Sequence, residues 1–361
     1  MSASRPQWSG RRGDVRIADL FCGCGGISLG LMETCRALGK RPDYVFACEM
    51  MPDYLDVYSR NFDPDYSISE PIEKIFNRDV GARASDKEKE WGKKIGNLTI
   101  AVGGPPCQGH SDLNNYTRRS DPRNSLYMKM ARFAEIVEPE HVIIENVLGV
   151  RHDKNGVFDT TVEALLKLGY SVDTPLVKGE MIGVPQRRHR AFIVASKTKP
   201  LHQGYFDSAL KAQYVRERSV RWACEDLLDL EQHSPMDVES KLSGVSKERV
   251  DWMFENGAYD LPDRFRPSCH RDKDHTYKSV YGRLYWDKPA WTITTGFLVM
   301  GQGRFLHPLR RRVITPHEAA RLQFFPDFFD FGVQKRGGYA KMIGNAVPAK
   351  MAYAVALELL R

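Results

Sequence analysis

No stretch of this sequence approaches the roughly 18 consecutive apolar residues that cross a bilayer. The first 14 residues are polar and basic without an apolar centre, so a disordered start is expected there rather than a secretory leader. Cysteine is sparse and unpaired: the seven are Cys22, Cys24, Cys35, Cys48, Cys107, Cys224 and Cys269. An odd, scattered set implies free thiols and a reducing compartment. Cys22 and Cys24 stand too close for a zinc pair and no second pair follows, while Cys269-His270 with His275 makes a thin ligand set, so no metal is expected. Repeats, low-complexity tracts and a G-x-G-x-x-G dinucleotide fingerprint are all missing. What remains is ordinary globular composition, 42% hydrophobic and 27% charged, in a chain whose 361 residues are too many for one small core. The net charge of +7 suits a polyanionic partner without singling one out.

The most informative stretch is Gly103-Gly104-Pro105-Pro106-Cys107-Gln108-Gly109-His110-Ser111. The apolar run 98–102 before it reads as a buried strand that stops at the glycines. Two prolines with fixed φ then turn the chain sharply, which predicts a thiol on a stiff loop at the C-terminal edge of a sheet. Alpha/beta proteins place ligands and chemistry at that edge. A buried structural cysteine is the competing reading, because free cysteines are among the most buried residues.

Residues 15–21 read as a first strand, running through Cys22-Gly23-Cys24-Gly25-Gly26 into a helix over 27–38. Strand, glycine turn and helix form a ligand loop, and the glycine spacing argues against a pyrophosphate. A second strand over 44–48 ends at Glu49, placed either to bond ribose hydroxyls or to cap the helix starting near Pro52. Glu70 follows the expected third strand, and residues 83–94 read as a solvated helix or loop. Residues 112–124 are polar and basic and read as a mobile loop, followed by a helix over 125–137. The strand 141–144 ends in Glu145, a second carboxylate for the pocket of Cys107 or a salt-bridged strand end. A helix over 162–168 and strands over 170–177 and 191–195 close this part as a hairpin. Between those strands, alternation places Gln186, Arg188 and Arg190 on one face and Arg187 and His189 on the other.

The strand–helix rhythm breaks after residue 198. Helices are expected at 219–230 and 246–256, then a basic, aromatic-laced run that includes Arg271, Lys273, Lys278 and Arg283, a composition suited to nucleic acid or to a solvated face. Residues 290–295 return to strand. Thr315-Pro316-His317-Glu318 opens a helix with an N-cap and a first-turn proline, and a last helix ends at Leu360.

In order, Asp19-Leu20-Phe21-Cys22-Gly23-Cys24-Gly25-Gly26, Pro105-Pro106-Cys107-Gln108-Gly109, Glu145-Asn146-Val147, Gln186-x-Arg188-x-Arg190, Arg321-Leu322-Gln323-Phe324-Phe325-Pro326 and Gly344-Asn345-Ala346-Val347-Pro348 resemble the motifs of the C5-cytosine DNA methyltransferase family. The resemblance runs from about Val15 to the C-terminus, with a divergent segment between the fourth and fifth motifs; His110 stands where an aromatic is usual, and Glu70 where Asp is commoner. It implies a Rossmann-like, S-adenosylmethionine-dependent α/β fold. The catalytic, cofactor-binding domain would comprise residues 15–198 and 310–361, and a loop-rich target-recognition domain residues 199–309, with 235–289 at its core. It implies Cys107 as nucleophile, Glu145 at N3 of the cytosine, and Arg188 and Arg190 orienting the base. The cofactor set would be Phe21, Gly23, Gly25, Gly26, Glu49, Met50, Glu70, Pro106, Asn345 and Ala346. The DNA-contacting set would be Gln108, Ser111, Arg118, Arg119, Gln186, Arg271, Lys273, Lys278, Arg283 and Thr292. The expected partner is duplex DNA, with a restriction enzyme as a possible functional companion. The expected state is a monomer in a bacterial cytoplasm, near the nucleoid. A tRNA cytosine methyltransferase is the nearest alternative, disfavoured because the Cys-Phe-Thr tripeptide of those relatives is absent; an idle DNA-binding module and a flavin or nicotinamide oxidoreductase fit the motifs less well.

Overall fold

The computed structural model describes residues 4–7, 13–106, 126–152, 156–230, 234–267, 271 and 280–361. The chain divides into two units, one of residues 4–178, 189–214 and 347–361, the other of 179–188 and 215–346. The expected boundaries at 199 and 310 therefore shift. Residues 199–214 stay with the first unit because helix α6 (Tyr205–Ala212) packs on the terminal helix α11 (Ala349–Leu360), with Gln213 donating to the Ala354 carbonyl at 2.9 Å. Residues 310–346 go with the second unit because α9 (Pro316–Leu322) packs on α7 (Val220–Cys224) and α10 (Arg336–Asn345). A break in strand–helix rhythm marks where composition changes, and packing decides where a unit ends.

The first unit is built on an eight-stranded sheet. Its strands are β1 (Val15–Leu20), β2 (Pro42–Cys48), β3 (Tyr66–Ile68), β4 (Ile100–Gly103), β5 (His141–Val147), β6 (Ser171–Asp173), β7 (Leu176–Lys178) and β9 (His189–Ser196). Their order is β3-β2-β1-β4-β5-β9-β6, with β7 sharing the outer edge of β9. Pairings from β3 to β5 are parallel, whereas β9 is antiparallel to β5, β6 and β7. Strands β2 and β4 are buried along their whole length and read as continuous apolar runs, as a sheet covered on both faces requires. Helix α1 (Gly26–Ala37) lies against α11, while α3 (Asp86–Ile95) lies against α4 (Leu126–Val137) and α4 against α5 (Val157–Lys167). Helix α2 (Pro52–Phe62) packs on β2 and β3.

The charged segment 83–94 forms the expected helix and is solvated along most of its length, with Glu88 the exception. Helix α3 opens with a capping box, Ser85 accepting from the Glu88 amide and Glu88 reaching back to the Ser85 amide. The same Glu88 is fully buried and takes both arms of Arg132 on α4, at 3.0 and 2.8 Å. Arg132 also holds Glu135 at 2.6 Å and the Ala82 carbonyl at 2.9 Å. A run of charge in a sequence cannot announce that one member is paired inside.

The second unit contains a two-stranded parallel ladder of β8 (Gln186–Arg187) and β10 (Ala290–Trp291), with α7, α8 (Gly244–Glu255), α9 and α10. Its apolar centre gathers Val250, Met253, Leu261, Val280, Tyr281, Met300, Leu306 and Val313. Thr315 and Glu318 form the capping box of α9, and Glu318 takes both terminal nitrogens of Arg312 at 2.7 Å.

Burial raises the Glu88 carboxyl, and the bonds from Arg132 and the Ser85 and Arg78 amides outweigh it, bringing it down to about 2. Its folded value lies below its unfolded one, so the stabilisation is present above about pH 4.5 and fades as pH falls through about 2. Glu88→Gln is expected to cost about 1.5–3 kcal/mol at pH 7, since it removes one of the two carboxylates that hold a buried guanidinium. The gap to the parent should narrow on acidification in urea unfolding; a gap independent of pH would remove the pair from this role.

Candidate active site

Five segments of the first unit end at one edge of its sheet. Leaving β1, Phe21 adopts a left-handed φ of 58°, a strained conformation for a residue with a Cβ. Cys22 follows with its amide on the Cys48 carbonyl at 3.2 Å, so the glycine turn is tied to the end of β2. Gly25 caps α1 at φ 100°, and a Cβ there would fall 2.1 Å from the Phe62 ring, so only glycine fits. Glu49, directly after β2, accepts from the Gly23 amide at 3.0 Å and the Met51 amide at 3.0 Å. It thus holds the loop closed and bonds the Met51 amide just ahead of α2. Burial raises the Glu49 carboxyl, and its bonds to the Met51, Gly23 and Met50 amides oppose that rise. Met50 is exposed, and so is Glu70, whose main-chain carbonyl accepts from the Cys48 thiol at 3.3 Å.

Below the turn lies Asp19, buried at 1% exposure. The Ser28 hydroxyl donates to its Oδ2 at 2.6 Å and lies 2.9 Å from the Tyr58 hydroxyl, while Oδ1 has no hydrogen-bond partner. Burial pushes this carboxyl up to about 8, the Ser28 bond opposes the rise and Glu49 adds to it. Asp19 and Glu49 likewise push up the buried Cys22 and Cys24 thiols after burial itself. The half-buried Glu49 carboxylate beside the turn can accept further hydrogen bonds, which suits a ligand carrying hydroxyls.

The other end of the site is set by β4, β5 and β9. The parallel β4–β5 register pairs Gly103 with Ile144, which puts Glu145 level with the Gly104-Pro105-Pro106 exit. A Cβ built on Gly104 would stand 3.4 Å from Glu145 Oε2. Asn146 donates to the Pro105 carbonyl at 2.9 Å and its own oxygen accepts from the Val147 amide at 2.7 Å. That side chain pins the stem of the cysteine loop to the sheet. Sequence reasoning quoted Asn146 only as part of a triplet and missed this role; an amide flanking a strand-end carboxylate was the available signal. The antiparallel β5–β9 register pairs Glu145 with Phe192, so Arg190, two residues along, is a same-face diagonal neighbour. Its Nε lies 2.7 Å from Glu145 Oε1, with both side chains about nine-tenths buried.

Arg188 and Gln186 belong to the second unit. Both are buried, as alternation predicts, and Arg187 between them is exposed. Asn345, exposed, and Ala346, buried, also lie in that unit. Three residues expected to contact DNA make bonds within the protein. The Gln186 amide is used internally: its nitrogen donates to the Leu322 carbonyl at 3.1 Å and Gln323 Oε1 at 2.9 Å, and its oxygen accepts from the Ile293 amide at 2.7 Å. The Thr292 hydroxyl donates to the Arg187 carbonyl at 2.8 Å. Arg283 donates from Nε to the Pro308 carbonyl at 2.7 Å and lies over the Phe254 and Tyr259 rings at 4.0 and 4.9 Å. A basic residue amid aromatics reads the same in sequence whether it meets phosphate or its own rings. Arg271 is exposed. Cys107, Gln108, Ser111, Arg118, Arg119, Lys273 and Lys278 lie outside the described residues, as do the 112–124 segment and the Cys269, His270 and His275 set. Among the described residues, no group of three or more His, Cys, Asp or Glu is placed to hold a metal.

A sheet whose C-terminal edge carries a glycine turn, an acid after the second strand and a proline loop beside a carboxylate–guanidinium pair defines a Rossmann-like methyltransferase. Residues 15–361 match the model of the C-5 cytosine-specific DNA methylase family, and the chain belongs to that family. It is 47% identical over 358 residues to the Type II methyltransferase M1.BsuMI of Bacillus subtilis, covering 99% of this chain and 83% of the relative. It is 30% identical to the Type II methylase M.HgiDII of Herpetosiphon aurantiacus, over 96% of this chain and 95% of the other. The fold matches the S. pombe Dnmt2 methyltransferase with a TM-score of 0.64 at 16% identity, over 96% of this chain and 98% of that one.

Asp19 supplies a pH test. Its folded value near 8 lies above its unfolded one, so the fold is stabilised relative to the ionised chain at low pH and that advantage is lost as pH rises from about 4 through 8. Asp19→Asn is expected to match the parent in urea midpoint near pH 4 and to exceed it at pH 8.5. Parallel midpoint curves for the two proteins would show that the carboxyl is already ionised in the fold.

Proposed function

We propose that this enzyme methylates carbon 5 of a flipped-out cytosine at a specific site in duplex DNA, through a transient bond between Cys107 and carbon 6. The observation that carries the reading is the proline loop: its stem is pinned by Asn146, and a Cβ built on Gly104 would stand 3.4 Å from the carboxylate that Arg190 orients. Family membership supports DNA as the substrate.

Carbon 5 of cytosine is a poor nucleophile. The Cys107 thiolate adds to carbon 6 and the ring becomes an enamine. Glu145 in its protonated form donates to N3, protonating it as charge builds in the ring, and accepts from the exocyclic amine, which selects cytosine over thymine. Arg190 holds that carboxylate, and Arg188 orients the base and the adduct. S-adenosylmethionine, when bound, supplies an electrophilic methyl group. Phe21, the Gly23–Gly26 turn and Glu49 hold it in the first unit. The carbon 5 proton then leaves, carbons 5 and 6 regain their double bond, and the thiolate departs. The base pair must open to expose the cytosine. Residues 235–289 read the flanking sequence, with exposed basic residues setting register on phosphates. The enzyme works as a monomer beside a cognate restriction endonuclease, in the compartment that holds the chromosome.

Bisulfite sequencing of plasmid DNA from cells expressing the chain should show one short sequence methylated at cytosine. Purified protein with S-adenosylmethionine should form a denaturant-resistant adduct on that sequence carrying 5-fluorocytosine, since fluorine cannot leave as a proton. Cys107→Ser should abolish the adduct and turnover while duplex binding persists. Turnover retained in Cys107→Ser would sink the covalent route, and unmodified plasmid would sink the activity.

A further inference from the structure

Two fully buried amides sit back to back in the second unit, Gln186 beside β10 and Gln323 just after α9. Neither has donor or acceptor capacity facing an empty space. Gln323 Nε2 donates to the Ile343 carbonyl at 2.6 Å and the Ala346 carbonyl at 3.2 Å. Its oxygen accepts from Gln186 Nε2 at 2.9 Å, and the second Gln186 proton goes to the Leu322 carbonyl at 3.1 Å. Turning either amide over would set N–H against N–H or oxygen against carbonyl oxygen, so the network fixes both orientations. Beyond Gln186 the chain of contacts reaches a single residue. Ile293 gives its amide to Gln186 Oε1 at 2.7 Å and its carbonyl to Arg188 Nη1 at 3.0 Å. Side chains at 186 and 188 thus grip both polar atoms of one backbone residue, continuing the β8–β10 ladder past its last backbone pair.

We propose that Gln323 is a positioning residue for Arg188, acting through Gln186 and the Ile293 backbone without touching substrate. The inference rests on the reading of Arg188 as the arginine that orients the base. A guanidinium fork is useful only when its plane is set, and here one of its nitrogens is referenced to a carbonyl whose place depends on two interlocked amides. The same Gln323 nitrogen grips the carbonyls that flank Gly344-Asn345, the segment assigned to the cofactor. One buried amide therefore registers both the base-orienting arginine and the cofactor-side turn.

The test uses the full-length enzyme with plasmid DNA containing its methylated sequence. Gln323→Leu removes every polar contact at similar volume; Gln323→Glu keeps the acceptor for Gln186 and loses both donors. Both are expected to lower kcat on the order of tenfold to a hundredfold, as small misplacements near reacting groups do, with DNA affinity in an anisotropy assay changed less than about threefold. Adduct formation on 5-fluorocytosine DNA should slow by the same factor. Gln186→Leu should have a similar effect, and the Gln186→Leu/Gln323→Leu double variant should be no worse than either alone. Should Gln323→Leu not fold, Gln323→Met takes its place. Folded Gln323 variants with kcat within about twofold of the parent, or single effects that multiply in the double variant, overturn the relay. Arg188→Lys separates the two levels: impaired Arg188→Lys with intact Gln323 variants defeats the relay alone, and an intact Arg188→Lys defeats the reading of Arg188 and the relay with it.

Discussion

The arrangement depends on the reversal of one strand. Strand β9 runs against the other strands described in its sheet, so its first residues, not its last, come to the edge where β1, β2, β4 and β5 end. Arg190 thereby meets Glu145 across two pleats at 2.7 Å. A parallel strand in that place would deliver its N-terminus to the far edge and leave a buried carboxylate without its cation, an uncompensated charge that folding would not tolerate. The same edge receives the strained Phe21, the Glu49-held glycine turn and the proline stem bonded by Asn146. Chemistry and topology share one boundary condition.

Electrostatics sorts that edge into two districts. Around the glycine turn burial, with Glu49 beside it, raises the Asp19 carboxyl to about 8, and burial with Asp19 and Glu49 raises the Cys22 and Cys24 thiols. Around β5 the carboxylate is matched by a guanidinium. One district keeps a buried carboxyl neutral and the other keeps one paired with a cation. A fold can supply both only by separating them along several strands.

Much of the catalytic sheet was legible from sequence because its signals are local. The strand before the glycine turn, the acid after β2, the proline stop after β4 and the alternation at 186–190 each follow from backbone rules and appear within a few residues of their expected places. The second unit was less legible. Its boundaries depend on which helix packs on which, and α6 and α9 each fell on the other side of the line drawn from composition. The expected helix 219–230 is α7 plus a short 3-10 turn, and the strand 290–295 is only two residues long. Gln186, Thr292 and Arg283 have the residue types of DNA contacts, and each uses its polar atoms internally. Glu88 and Asp19 illustrate the same limit in reverse: a charge run and a motif acid conceal an interior ion pair and a neutral carboxyl. Partners that lie far apart in the chain leave no local trace.

The chain leaves the sheet at Pro105-Pro106 and returns as α4, and both points are moored. Asn146 fastens the first to β5, and Arg132 fastens the helix to the Glu88 of α3. Two side chains outside the intervening residues, Asn146 and Arg132, thus fix the stem before that span and the helix after it. A substitution at Asn146 or Arg132 therefore acts on that span from outside it.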